Sequence, residues 1–307
     1  MDKKTTLYQY FKKWMVLYKK PILAPVTYVK YENTLRQIKE YFDEQKISSI
    51  TPQSYQKILN EYATTHAKLT TSCFHKQIRA CILDAIDEEI IKKDPTRKAI
   101  ITGKFSSKKK DGYLSYSDWK ILVGYTSRSS EIIDKIILLS SLTGMRFSEV
   151  LGLTWDDFDE DNQQLIVNKT WDYKYHQGFA NTKNISSQRK IDVDRTTISI
   201  LKELRNSDTV DERIFSTKSD DKIYSMTINR HLTKICTLLD IPIISFHALR
   251  HTHASILLYQ GVNILSVSKR LGHSNVTTTQ EVYLHIIKEM ENNEREKIVQ
   301  IMIDGYR

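Results

Sequence analysis
His247-Ala-Leu-Arg-His-Thr-His-Ala-Ser255 sets His247 and Arg250 three residues apart in a run with the composition of a helix. That spacing is close to one helical turn, so both side chains lie on one face and can reach the same phosphate. Upstream, Thr143-Gly-Met-Arg-Phe-Ser-Glu-Val-Leu-Gly-Leu153 puts Arg146 just after a glycine turn, with Phe147, Val150 and Leu151 placed to anchor the helix that follows. Downstream, Leu271-Gly-His-Ser274 adds His273, and Tyr283 follows in Thr278-Thr-Gln-Glu-Val-Tyr-Leu-His285. Transfer of a phosphodiester bond without metal needs a nucleophile, cations for the non-bridging oxygens and an acid for the leaving oxygen. These segments hold candidates for all three, so no cofactor or metal is expected. Taken singly, each residue has an ordinary explanation as surface charge or packing. Several segments in one order do not.

Composition sets bounds around that core. At 307 residues the chain is expected to form two domains, each large enough to bury its own core. The balance of 46 Lys+Arg against 37 Asp+Glu gives +9, and it is unevenly placed. Residues 1–112 hold 22 basic and 12 acidic side chains, a net of +10, whereas residues 113–307 hold 24 and 25, a net of −1. The first third is therefore the part suited to a polyanion, through counterion release from a nucleic-acid backbone. A basic helical RNA-binding module would share that charge but would leave the arginine, histidine and tyrosine set unexplained. Cys73, Cys81 and Cys236 are an odd number without metal-ligand spacing, so neither a disulfide framework nor a zinc site is suggested, and a reduced, cytosolic compartment fits. The longest apolar stretch, Ile132 to Leu142, is interrupted by Asp134 and Lys135 and falls short of the roughly 20 residues needed to span a bilayer. The charged and aromatic N-terminus does not read as a signal peptide.

Helical periodicity runs from Leu7 to Ile91, with Pro21 and Pro25 interrupting the first pair of helices, Thr51-Pro52 opening a third and Asp94-Pro95 closing a fourth. The aromatic stripe Tyr8, Phe11, Trp14 and Tyr18 is read as core, although it could stack on bases. Thr102 to Gly112, with two glycines, two serines and four lysines, suits an exposed basic linker in which Lys108, Lys109 and Lys110 would track phosphates. Beyond it, helices are expected at Ser115–Tyr125, Glu131–Leu142, Met226–Leu239, Phe246–Tyr259 and Ile264–Leu271, with a last one after Tyr283. Short strands are expected at Gln164–Thr170 and Lys190–Val193, with hairpin connections between them. The fold class is mainly α. A helical domain spans residues 1–105, a basic linker 106–112, and a mostly helical domain with a small antiparallel sheet and a C-terminal tail helix 113–307.

The order Arg146, Lys183, His247-x-x-Arg250, Leu271-Gly-His273, Tyr283 resembles the active-site boxes of the tyrosine recombinases, over about residues 113–290. Residues 5–95 are more loosely similar to the helical, SAM-like core-binding domain of phage and conjugative-transposon integrases. The resemblance implies a site-specific recombinase that integrates or excises a mobile element. Arg146 and Arg250 would clamp the scissile phosphate, and Lys183, in Asn-Thr-Lys-Asn-Ile-Ser-Ser-Gln-Arg-Lys190, would protonate the departing 5′ oxygen. Lys169, Lys174 and Lys190 are its rivals in the same region. His247 and His273 would manage protons, Tyr283 would attack to leave a 3′-phosphotyrosine, and Glu149 would support Arg146 by orienting its neighbours. His251, His253 and His285 resemble extra histidines of integrases, and helix packing or a hydrogen bond is the preferred reading for them. The implied partners are double-stranded DNA attachment sites, a homo-tetramer assembled on DNA, a DNA-bending host factor and a directionality factor. The implied location is the bacterial cytoplasm, at the nucleoid, away from membranes. Ile287, Met290, Ile298 and Ile301 give the tail a helical period suited to docking on a neighbouring protomer. Many phage integrases carry a further small N-terminal domain for arm-type sites, whereas this chain begins with the core-binding helices. The alternatives are a chromosome-dimer-resolving recombinase and a catalytically idle DNA-binding relative.

Overall fold
In the first part of the chain, caps and prolines start the helices where the sequence places them. Thr6 accepts from the backbone N–H of Gln9, whose side chain accepts from Thr6 N–H in return, and this capping box opens α1 (Leu7–Trp14). The helix widens into a π-helical turn, Met15–Lys19. Pro25 and Pro52 occupy first-turn positions of α2 (Pro25–Phe42) and α3 (Pro52–Thr65), where a missing N–H costs nothing, and α4 spans Lys68–Asp87. Phe11, Ile38, Tyr55, Leu59, Ile78 and Ile82 form the core of these helices. Phe11 and Trp14 are buried as the stripe predicts, but Tyr18 is exposed. Asp94-Pro95 does not close α4, which ends at Asp87. Asp94 instead accepts from Arg79 Nη1 at 2.6 Å and from the Thr96 backbone N–H at 2.8 Å, pinning the connection that follows.

The structure, a computed structural model, describes residues 5–104, 112–175, 178–182, 184–206, 212–216, 223–277, 279–280 and 302–304. The chain divides into two compact units, Met1–Lys108 and Lys109–Arg307. Among the described residues no helix is long and apolar enough to cross a membrane.

In the second unit α5 (Tyr116–Arg128) packs on α6 (Ile132–Thr143), which is buried almost all round. Two charges inside α6 are matched: Asp134 Oδ1 lies 2.6 Å from His231 Nε2, and Lys135 Nζ donates to the Ser127 carbonyl at 2.9 Å. After α7 (Phe147–Leu151) come β1 (Phe158–Asp159), β2 (Gln164–Val167), β3 (Lys169–Trp171), β4 (Phe179–Asn181) and β5 (Arg189–Asp192). An antiparallel sheet runs in the order β1-β2-β5, with Leu165 opposite Ile191, and β3 pairs with β4 in a separate ribbon. The single strand expected from Gln164 to Thr170 therefore breaks at Asn168. There Asn168 Nδ2 and Lys169 Nζ both donate to the buried Asp157 carboxylate, at 2.9 and 2.5 Å.

Helices resume with α8 (Arg195–Asn206), α9 (Ser225–Leu238), α10 (Phe246–Tyr259) and α11 (Ile264–Leu271). The sequence reading leaves out α8, whose first turn is rich in β-branched residues; Asp194 starts it by accepting from the N–H groups of Thr196 and Thr197. Of the expected tail helix, Ile287, Met290, Ile298 and Ile301 lie outside the described residues, and residues 302–304 are helical.

Gly152 ends α7 against β3, and a Cβ there would lie 2.8 Å from Thr170 C and 2.9 Å from Trp171 N. Both atoms are backbone and cannot step aside. Gly152→Ala is expected to destabilise the second unit by about 1–3 kcal/mol, read as a lower urea midpoint in full-chain unfolding.

Candidate active site
Two helix ends and one buried arginine build the site. α6 stops at Gly144, whose φ of 69° needs a residue without a Cβ, and α11 stops the same way at Gly272, also at φ 69°. Arg250 on α10 spans the two ends: Nη1 donates to the Gly144 carbonyl at 2.9 Å and Nη2 to the Leu271 carbonyl at 2.6 Å. Its residue is 3% exposed. The Gly144 turn delivers Arg146, which caps α7 in extended conformation, and the Gly272 turn delivers His273. His247 stands one turn before Arg250 on α10, its ring 5.0 Å from that of His251 and edge-on to it.

Glu149 fastens Arg146. Its Oε2 accepts the Arg146 backbone N–H at 2.9 Å and its Oε1 pairs with Arg146 Nη1 at 2.6 Å. Burial alone would raise this carboxyl, but the charges and hydrogen bonds of Arg189 and Arg146 outweigh it and hold the group below the usual carboxylate range. His247 keeps an exposed edge, yet the protein packed around it and then His251, Arg250 and Arg146 push it down to about 4. His273 is likewise pushed down to about 4, first by burial and then by Arg250, Arg146, His251 and Arg189. Its Nδ1 lies 2.8 Å from Thr279 Oγ1. Both imidazoles are thus neutral at pH 7 beside fixed guanidinium charges, an arrangement that attracts an anion and leaves ring nitrogens able to exchange protons. A cavity of about 240 Å³ opens beside Arg146 and His247 and is lined further by Ser148, Tyr173, Asn229 and Ser245.

Five of the residues singled out from sequence, Arg146, Glu149, His247, Arg250 and His273, come together here. Lys183, Tyr283, His285 and Lys108 to Lys110 lie outside the described residues. Of the rival lysines, Lys169 is committed to Asp157 at 2.5 Å. His253 is buried, its Nδ1 3.2 Å from the Ser141 carbonyl and its Nε2 accepting from Arg270 Nε at 3.0 Å. Two arginines escaped the sequence reading. Arg270 reaches from α11 to His253, and Arg189 on β5 grips both oxygens of the Glu149 carboxylate that also holds Arg146. Arg189 shares a strand face with the buried Ile191, so period-two alternation places it inward, where a guanidinium needs a carboxylate.

Residues 113–290 match the phage integrase family, and residues 6–63 match the N-terminal SAM-like domain of phage integrases. The chain belongs to the phage integrase family. It is therefore a tyrosine recombinase, of a family that cleaves and rejoins DNA strands. This family member is 27% identical to a XerC-like tyrosine recombinase of Caldanaerobacter subterraneus subsp. tengcongensis, over 91% of this chain and 79% of that one. It is 25% identical to the ICEBs1 integrase of Bacillus subtilis, over 86% and 74%. Its fold is similar to that of the Tn1549 transposon integrase in complex with transposon right end DNA, with a TM-score of 0.78 and 18% identity over 96% of this chain and 100% of that one. A lambda integrase tetramer bound to a Holliday junction gives 0.70 and 15% over 90% and 80%.

His253 also sets a pH dependence. Burial, then Arg270, pushes it down to about 3, so between 6.5 and that value the unfolded chain binds a proton that the folded one does not. Stability then falls as pH falls through that window and is regained as it rises. His253→Asn keeps a donor where Nδ1 sits and should flatten the slope of unfolding free energy between pH 6 and 4 by up to about 1.4 kcal/mol per pH unit. Urea titrations at stepped pH check this; an unchanged slope contradicts the assignment.

Proposed function
We propose that this integrase-family recombinase recombines a mobile element at its DNA attachment sites by the chemistry that the clustered residues support. The Tyr283 hydroxyl attacks the scissile phosphorus, forming a P–O bond to tyrosine as the P–O5′ bond breaks. Arg146 and Arg250 hold the non-bridging oxygens as charge accumulates, and Lys183 gives a proton to the departing 5′ oxygen. His247 and His273, neutral before DNA binds, take up and hand on the tyrosine proton and hydrogen-bond the phosphate. One phosphodiester is exchanged for another, so no nucleotide is hydrolysed, and a 5′ hydroxyl from a second duplex reverses the step to rejoin the strand. The observation that carries this reading is the bridge made by Arg250, which draws the Gly144 and Gly272 turns together and so gathers Arg146, His247 and His273.

Residues 1–105 serve in this reading as the core-site DNA-binding domain, residues 106–112 as a linker whose Lys108, Lys109 and Lys110 follow the phosphates, and residues 113–307 as the catalytic domain. Exchange between two duplexes needs four active sites, so the working form is a homo-tetramer on DNA, with the tail docking on a neighbour and with host bending and directionality factors setting the outcome. The tetrameric lambda integrase on a Holliday junction supports that assembly. Relatives named as integrases of Staphylococcus phage L54a and of ICEBs1 favour a mobile element, acted on in the bacterial cytoplasm at the nucleoid. The XerC-like relative supports chromosome-dimer resolution as the second reading.

Incubation with a nicked attachment-site duplex in EDTA, followed by denaturing electrophoresis, should yield a slow covalent band that Tyr283→Phe lacks while still binding the duplex. No band on a duplex that the protein binds would overturn the proposal in favour of an idle DNA-binding relative. Arg146→Lys keeps the charge but loses the fork, and should form the band about 100-fold more slowly.

A further inference from the structure
Arg189 lies on β5, in the segment that carries Lys183 but with no part of the reaction assigned to it, and its side chain is 4% exposed. Nη2 donates to Glu149 Oε2 at 2.9 Å, and Nη1 to Glu149 Oε1 at 3.3 Å and to the Ser187 carbonyl at 2.9 Å. Nε donates to the Arg270 carbonyl at 2.6 Å. The fork thus grips the same carboxylate that Arg146 holds, and both guanidiniums reach Oε1. Arg189 also lies under the turn that carries His273: a Cβ on Gly272 would sit 3.1 Å from both its Cδ and its Nη1.

Charge shows why a second arginine matters there. A buried carboxylate paired one-to-one with Arg146 would orient that side chain but cancel its charge, and a cancelled pair attracts a phosphate weakly. With Arg189 present, the three groups sum to +1. Glu149 can then fix Arg146 without quenching it. A guanidinium suits the task because it stays charged when buried and meets both carboxylate oxygens at once.

We propose that Arg189 is a positioning residue for strand cleavage: it holds Glu149 by both carboxylate oxygens, fixes Arg146 and the His273 turn, and supplies the charge that keeps the Arg146–Glu149 pair attractive to the scissile phosphate. This rests on the reading given under Proposed function. The groups facing Glu149 are Arg146 on its own helix, Arg189 on β5 and His247 on α10.

The test uses the full chain at a temperature where circular dichroism shows every variant folded. It compares wild type, Arg189→Lys, Arg189→Met, and Arg189→Met combined with Glu149→Gln, which leaves no buried charge unpaired. Two quantities are read: affinity for the uncleaved site duplex, and the first-order rate of covalent complex formation on saturating nicked duplex from pH 6 to 8.5. Arg189→Lys should cleave about 10- to 100-fold more slowly with affinity little changed, and the deficit should narrow as pH falls, because a loosened Glu149 that takes up a proton no longer cancels the charge of Arg146. Arg189→Met should be slower still. Adding Glu149→Gln to it should restore part of the rate by returning the net charge at Arg146 to +1. A merely structural role predicts the reverse, a double variant no faster than Arg189→Met. That result, or Arg189→Lys cleaving at the wild-type rate, overturns the inference alone. Wild type that forms no Tyr283-dependent complex overturns the function and the inference together.

Discussion
Arg250 is a charged side chain placed where water hardly reaches, and the means by which its charge is tolerated organises the second unit. Its two terminal nitrogens reach the carbonyls of Gly144 and Leu271, at the C-terminal ends of α6 and α11. Helix C-termini carry the negative end of the backbone dipole and leave their last carbonyls without partners in the helix. A guanidinium there satisfies orphan acceptors and meets a favourable potential. Both turns that leave these helix ends then carry a candidate phosphate ligand, Arg146 on one and His273 on the other. The geometry of the site follows from how two helices stop.

The two glycines make that stopping possible, and their surroundings leave little latitude. A Cβ at Gly144 would lie 2.8 Å from the His253 ring and 2.9 Å from Leu271 Cδ2, so α10 and α11 press on the turn from both sides. His253 fills the space by bonding to the Ser141 carbonyl of α6 and accepting from Arg270 of α11. Three helices are thus joined at one neutral imidazole. Burial first, and then Arg270, which a proton on Nε2 would face, hold the ring neutral far below the usual histidine range. Arg189 does on the sheet side what Arg270 does on the helix side.

Legibility in the sequence tracked the range of the interaction. The bounds of α10 and α11 coincide with those read from the chain, because apolar period, the Asn263 cap and the Gly272 stop are all local signals. The Thr51-Pro52 start of α3 was visible for the same reason. Much of what sequence hid depends on distant partners. The strand from Gln164 breaks because Asp157, eleven residues before Asn168, captures Asn168 and Lys169, whereas α8 escaped for a local reason, a β-branched first turn that masks the Asp194 cap. Within the site, Arg146, His247, Arg250 and His273 could be named because their segments are short and ordered. Arg189 could not, since its meaning lies in a carboxylate 40 residues upstream.

Net charge and local charge separate along the chain in a way that suits the proposed chemistry. Residues 1–112 hold a surplus of +10, which suits long-range attraction of a duplex, whereas residues 113–307 sum to −1. A nearly neutral second part cannot draw a phosphate by its overall field. It needs cations concentrated at one point and shielded from the carboxylates elsewhere. Arg146, Arg189 and Arg250 meet that need with the Glu149 carboxylate gripped between the first two, and the histidines beside them stay neutral so that they add no repulsion before the anion arrives. Once a phosphate occupies the site its charge favours the protonated imidazole, so the histidines would be able to accept a proton at the stage when the attacking hydroxyl has to lose one.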